Sequence, residues 1–332
     1  MSFWNDLIRS KAEDWLFYPF AKNQVAGSEE PRDLAPGQEY MNIFLKSARV
    51  VNVRSGLKKF YGAVHSFMTI PLQGQPTPGQ VTTVTTPSLL KNVDPRRIDR
   101  VVSINHRLLG PIPAPSGDTK LELGLFSIEE EDLVAPYLGL LETFSGLAGV
   151  GFIKGAVPFI GPIKDGINGI LHGQGDTLLE IGIATTFNPV RTGYFLVMRV
   201  PRDEIDPSTL VLDVNDWKVV GTDGKRVKDY PYLVFEISAT KEKGDWASIP
   251  ELHAQYNLIR DAVRRGDAKE ANSNFDVFSR VAQTCFDLTS NDAIKLVAKV
   301  RAEIDSVLGS PSGHAQSSLN LRDFGQVALY NE

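Results

Sequence analysis

The chain has 332 residues, 42% of them hydrophobic and 23% charged, a balance that fits one large or two ordinary globular domains and excludes wholesale disorder. A net charge of −5, from 35 basic and 40 acidic residues, leaves no electropositive footprint for nucleic acid. The one cysteine, Cys285, excludes an internal disulfide and a cysteine-built structural zinc site.

The opening residues Met1-Ser2-Phe3-Trp4-Asn5-Asp6 have neither the basic stretch nor the apolar run of an export signal. With one free cysteine, the expected location is the cytoplasm. Phe3, Leu7, Ile8, Trp15 and Leu16 fall near helical spacing, so an amphipathic helix is predicted over residues 1–22, closed by Pro19. Gly27, Pro31, Pro36 and Gly37 then give residues 23–39 the composition of a linker.

From Tyr40 the pattern becomes strand-like. Branched and aromatic runs occur at 40–53, 60–70, 98–105, 119–127, 177–187, 192–201, 208–220 and 231–240, while residues 71–88 read as a long loop. Asp223-Gly224 is a hairpin signal, because a tight turn there needs positive φ angles. No strand–helix–strand alternation is visible. The predicted class is therefore α+β, with a mainly β, antiparallel sandwich or barrel-like domain over 40–245.

One segment inside that domain is different. Ser127 with Glu130 has the spacing of a capping box, and a long Gly-rich apolar stretch follows, so a helical hairpin is predicted as an insertion at 128–173. After residue 245 the pattern turns helical. Leu252, Tyr256, Ile259 and Val263 form one stripe; Phe275, Phe278, Val281, Ala282 and Cys285 form a second; Ala293, Val297, Val300, Ile304 and Val307 form a third. A helical subdomain is expected over 246–309, with Gly309 as its stop. A Ser/Gly/Pro-rich spacer then leads into a C-terminal arm, 310–332, where Leu319 and Leu321 alternate ahead of Phe324.

The search for chemistry yields no catalytic, cofactor-binding or metal-binding set. The five histidines are His65, His106, His172, His253 and His314, and no pair has the helical spacing of a zinc peptidase. His65 and Ser66 are strand neighbours, so their side chains point to opposite faces and one cannot serve the other as base. Cys285 reads as a small core hydrophobe on a helix stripe. Gly149-Val150-Gly151 with Gly155 follows a helical run rather than a strand, which removes its value as a dinucleotide fingerprint. Arg96, Arg97, Arg100 and Arg107 alternate with Asp94 and Asp99 and read as a solvated strand edge.

The leading expectation is a non-enzymatic structural or adaptor subunit that binds protein partners, a second copy included, through its terminal arms. The residues assigned to that contact are Phe3, Trp4, Leu7, Trp15, Leu319, Leu321 and Phe324. The alternative is a membrane-active, pore-forming-like effector using residues 143–171, with Phe144, Phe152, Phe159 and Ile160 entering the lipid. The third is a hydrolase with a dispersed triad. No cofactor and no nucleic acid is expected under any of them.

Overall fold

A computed structural model describes residues 15–51, 54–55, 58–71, 78–84, 101–129, 178–201, 203–227, 230–308 and 320–330. The chain divides into two compact units. One comprises Met1–Leu34, Met41–Gly110 and Pro115–Ala239; the other comprises Ala35–Tyr40, Pro111–Ala114 and Thr240–Glu332.

The first unit is built from β1 (Trp15–Pro19), β2 (Tyr40–Arg49, whose first residue belongs to the other unit), β3 (Arg54–Ser55), β4 (Lys58–Ile70), β5 (Gly79–Val84), β6 (Val101–Pro113, whose residues from Pro111 on belong to the other unit), β7 (Thr119–Glu129) and β8 (Leu178–Phe187). It continues with β9 (Gly193–Arg199), β10 (Leu210–Asp213), β11 (Lys218–Gly221) and β12 (Tyr232–Thr240). One sheet has the order β1-β9-β12-β2-β6, another runs β3-β4-β7-β8 with β5 also on β4, and β10-β11 is a separate hairpin. Neighbouring strands pair antiparallel, as in β1 on β9, β12 on β9, β4 on β7 and β7 on β8.

Both faces of the first sheet are buried, which explains the near-continuous apolar sequence of β9 and β12. On one face Phe17, Phe195 and Phe235 stack in a row, with ring centroids 5.8 and 5.0 Å apart. Phe187 of β8 meets Phe17 and Phe195 edge-on, so the second sheet faces the first through these aromatics. On the other face Leu196, Met198, Tyr232 and Val234 pack with Leu210, Leu212 and Val219 of the hairpin.

Four expectations change in this unit. Trp15–Pro19 is a strand at a sheet edge rather than part of a helix. Five consecutive apolar residues carry no period, and large aromatics fit a pleated, half-buried edge. The stretch predicted as a linker is tied down: Val25 and Leu34 are buried, and Gln24 Nε2 donates to the Leu210 carbonyl at 2.7 Å. The predicted loop at 71–88 contains β5, whose Val81, Thr82, Thr83 and Val84 pair with β4. The Asp-Gly turn is present, with Gly224 at φ 73° and Gly221 N–H donating to the Lys225 carbonyl at 2.7 Å, but it closes only an isolated Val220–Arg226 bridge; the hairpin is β10 on β11, inside the run read as one strand, and β12 pairs in the first sheet. Ile128 and Glu129 continue β7; the rest of the predicted helical insertion lies outside the described residues.

In the second unit, a 3-10 turn at Trp246–Ser248 leads into α1 (Pro250–Arg264), followed by α2 (Ala268–Gln283) and α3 (Ser290–Leu308). Pro250 occupies the first turn of α1, where its missing N–H costs nothing. Asp267 caps α2 by accepting from Glu270 N–H at 2.9 Å. The stripe predicted for α1 is interior; of that predicted for α3, Ala293, Val300 and Ile304 are interior, Leu296 takes the place expected for Val297, and Val307 is half-buried. Cys285 is buried, but it lies in the connection after α2 rather than on that helix. Residues 320–330 form no strand: the segment has one 3-10 turn at Phe324–Gln326 and is fixed by side-chain anchors. Among the described residues no helix is long and apolar enough to cross a membrane.

Candidate functional site

The most developed site lies in the helical unit, where segment 320–330 is seated like a peptide. Phe324 is 2% exposed and sits in an aromatic box. Trp246 meets its ring edge-on at 4.9 Å, Tyr256 lies tilted at 4.7 Å, and Phe278 closes the box edge-on at 6.1 Å. His253 of α1 is 6.0 Å away at the margin. Leu321, Val327 and Leu329 are also buried. The box exists because α1 places Tyr256 on its interior stripe one turn after Leu252, while α2 brings up Phe278.

Polar contacts fix the segment on either side of that anchor. Tyr256 Oη donates to the Arg322 carbonyl at 2.8 Å. Arg260 pairs with Asp323, and Arg322 lies 3.4 Å from Glu303. At the far end Tyr330 Oη donates to Asp292 Oδ2 at 2.6 Å and accepts the Lys243 backbone N–H at 2.8 Å. Tyr40 Oη reaches the same carboxylate oxygen at 2.6 Å and accepts Thr289 N–H at 3.2 Å. Each phenol therefore both donates and accepts, which is how a buried hydroxyl avoids an unmet hydrogen bond. Thr289 caps α3 by accepting Asp292 N–H at 3.3 Å, and Asp292 lies in the first turn, where a negative charge suits the helix dipole.

Burial and the neighbouring carboxylate raise the Tyr40 and Tyr330 phenols well above the ordinary tyrosine range. Tyr256 is pushed up to about 12, first by burial and then by the charge of Glu303. These hydroxyls stay protonated, and so remain donors, throughout the neutral range.

Close to this groove is a buried charge cluster. Lys243 is fully buried; its Nζ donates to the Pro111 carbonyl at 2.6 Å and lies 3.1 Å from Asp245 Oδ1. Burial lowers its pKa, opposed by Asp245 and Asp287. One ligand atom each of Glu251, Cys285 and Asp287 lies within 4.8 Å of the others, a set with donors suited to a metal ion. Lys243 already supplies positive charge to the same cluster.

The sandwich unit carries a second polar centre on β2. Lys46 Nζ contacts Asn105 Oδ1 at 2.8 Å and Glu236 Oε2 at 2.9 Å, and lies 4.3 Å from the ring centroid of Trp217. Tyr194 stacks on Trp217 at 5.6 Å, and Ser47 Oγ donates to the Trp217 carbonyl at 2.6 Å. Trp217 has φ 55° and Asn105 φ 44°, a backbone region a bulky side chain rarely enters. Contacts to the ring and the carbonyl hold Trp217 there, so this centre fastens the hairpin to the sheet.

The residues singled out from sequence are placed as follows. Register puts His65 and Glu122 on one face of the second sheet, and Ser66, Leu121 and Leu123 on the other, as strand alternation requires. Trp15 is half-buried in β1. Leu321 and Phe324 are interior to the helical unit, so side chains expected to meet a separate partner through a projecting arm are used within their own unit. Phe3, Trp4, Leu7 and Leu319 lie outside the described residues, as do Phe144, Phe152, Phe159 and Ile160. Sequence reasoning missed Trp246, Asp292 and Tyr330. The one signal available was the recurrence of aromatic residues after 245, which spacing alone could not assign to a common box.

No family model, no curated protein and no solved structure matches this chain.

Proposed function

We infer that the protein is a non-enzymatic binding subunit whose C-terminal helical unit receives an extended peptide segment, a site that residues 320–330 fill in the isolated chain. The seating of that segment supports this reading. It carries one turn of regular structure and is held by a central aromatic anchor, flanking apolar side chains and a terminal phenol on a carboxylate. That is how short linear segments are recognised: anchors in pockets supply affinity, and polar contacts at the ends set register. The receiving surface has its own framework, because α1, α2 and α3 bury stripes against one another as well as against the segment. The expected ligand is an adaptor-type partner peptide with a Leu-x-x-Phe-x-x-Val core and a nearby Tyr.

The test is binding of a fluorescent peptide covering residues 319–332 to the full chain, followed by anisotropy. A tethered segment competes at an effective concentration of about millimolar, so wild-type protein should bind weakly. A Phe324→Ala chain, whose own anchor is gone, should bind more tightly by the factor with which its groove stands open. A peptide lacking its phenylalanine should fail with both. Absence of saturable binding to a folded Phe324→Ala chain contradicts the reading.

A further inference from the structure

We propose that the groove accepts the C-terminal segment of a second copy of this chain, so that two copies exchange residues 320–330 and form a symmetric dimer. This rests on the reading of the helical unit as a peptide groove and names its partner. The contacts described for the segment run between residues 320–330 and groups that any copy presents identically, among them Trp246, Tyr256, Arg260, Phe278, Asp292 and the Lys243 backbone. Exchange therefore creates no new interface chemistry and leaves no anchor unfilled, which makes swapping of a terminal element a low-cost route to a dimer. Residues 309–319 follow α3 with the sequence Gly-Ser-Pro-Ser-Gly-His-Ala-Gln-Ser-Ser-Leu, and a stretch of that length can span roughly 35–40 Å when extended.

The geometry supplies a direct probe. A Cβ built at Gly325 would lie 3.8 Å from Ala247 Cβ, a separation usual for a disulfide. The double variant Ala247→Cys/Gly325→Cys, in a Cys285→Ala background, would record which copy the segment occupies. Folded protein is concentrated or refolded at rising concentration, oxidised, and run without reductant. Exchange predicts a covalent dimer whose share grows with concentration. In a mixture of isotopically heavy and light chains, the engineered disulfide should join peptides of different mass. Native mass spectrometry of the unmodified chain after refolding at high concentration gives an independent readout: a dimer is expected, and Phe324→Ala should remove it. Crosslinks confined to single chains, with an unmodified protein that stays monomeric at every concentration, overturn the exchange. That outcome is distinguishable from failure of the groove itself, because capture of the free peptide is measured separately and does not need a dimer.

Discussion

Tyr40 and Tyr330, residues near opposite ends of the sequence, donate to the same oxygen of Asp292, each across 2.6 Å. A single buried carboxylate thereby links the first residue of β2, the start of α3 and the C-terminal segment.

Removing one phenol should loosen the segment without destroying the unit. Tyr330→Phe leaves Tyr40 on Asp292 and is expected to lower stability by about 1.5–3 kcal/mol, the usual worth of a hydrogen bond to a charged group. Limited proteolysis should then cut residues 320–330 earlier than in the parent chain. Asp292→Ala strands both phenols and should cost more, about 3–6 kcal/mol. Equal melting temperatures for the two variants would refute this ranking.

Phe324 is the central anchor, and truncating a fully packed aromatic typically costs about 3–5 kcal/mol. Phe324→Ala should lose that amount in chemical denaturation of the helical unit, whereas Phe324→Leu should lose less, because an aliphatic side chain still fills part of the box. A loss under about 1 kcal/mol for the alanine variant would place the segment outside the packed interior.

Alkaline pH should release the segment. Tyr256 is raised from 10.0 to about 12, and Tyr40 and Tyr330 are raised as well. Below the ordinary tyrosine value both folded and unfolded chains hold these protons, so the stabilisation is complete. As pH climbs from about 10 toward about 12, the unfolded chain ionises while folded Tyr256 keeps its proton, and stability falls. Ionisation also removes the donor that holds the Arg322 carbonyl. Tyrosinate absorbance should therefore rise together with loss of helical signal. A stability that is level across that window contradicts the burial of these phenols.

The hairpin offers a backbone test in the other unit. At Trp217 both Ala and Gly substitutions remove the ring from between Lys46 and Tyr194, but only Gly relieves the left-handed backbone. Trp217→Gly should be the more stable of the two by about 1 kcal/mol. If alanine proves equal or better, residue 217 does not hold that conformation in solution.

How far these features could be read from sequence depended on whether a periodic face was involved. The stripe Leu252, Tyr256, Ile259 and Val263 has one period and one buried side, so α1 was legible. The strand run of β7 and the Asp-Gly turn were legible for the same reason: each is a local rule with a local cause. Trp15–Pro19 was misread because an unbroken apolar run fits either period, and what decides is the free edge of β9, which lies far along the chain. The groove was half legible. Leu321 and Phe324 stand out in sequence as apolar residues after a spacer and read as contacts to a separate partner; in the structure both are buried in the helical unit. Asp292 lies in the first turn of α3, and nothing in spacing reveals that Tyr40, some 250 residues earlier, shares it with Tyr330.

The most direct test of the peptide-groove reading is to sever the segment from its unit. A protease site placed within residues 309–319 allows the full chain to fold first and then be cut. The expected result is a body that stays folded, retains residues 320–332 noncovalently, and exchanges them for an excess of free labelled peptide. A body that unfolds or aggregates as the segment is lost, without taking up the free peptide, would mean that residues 320–330 are part of the core rather than a ligand on it.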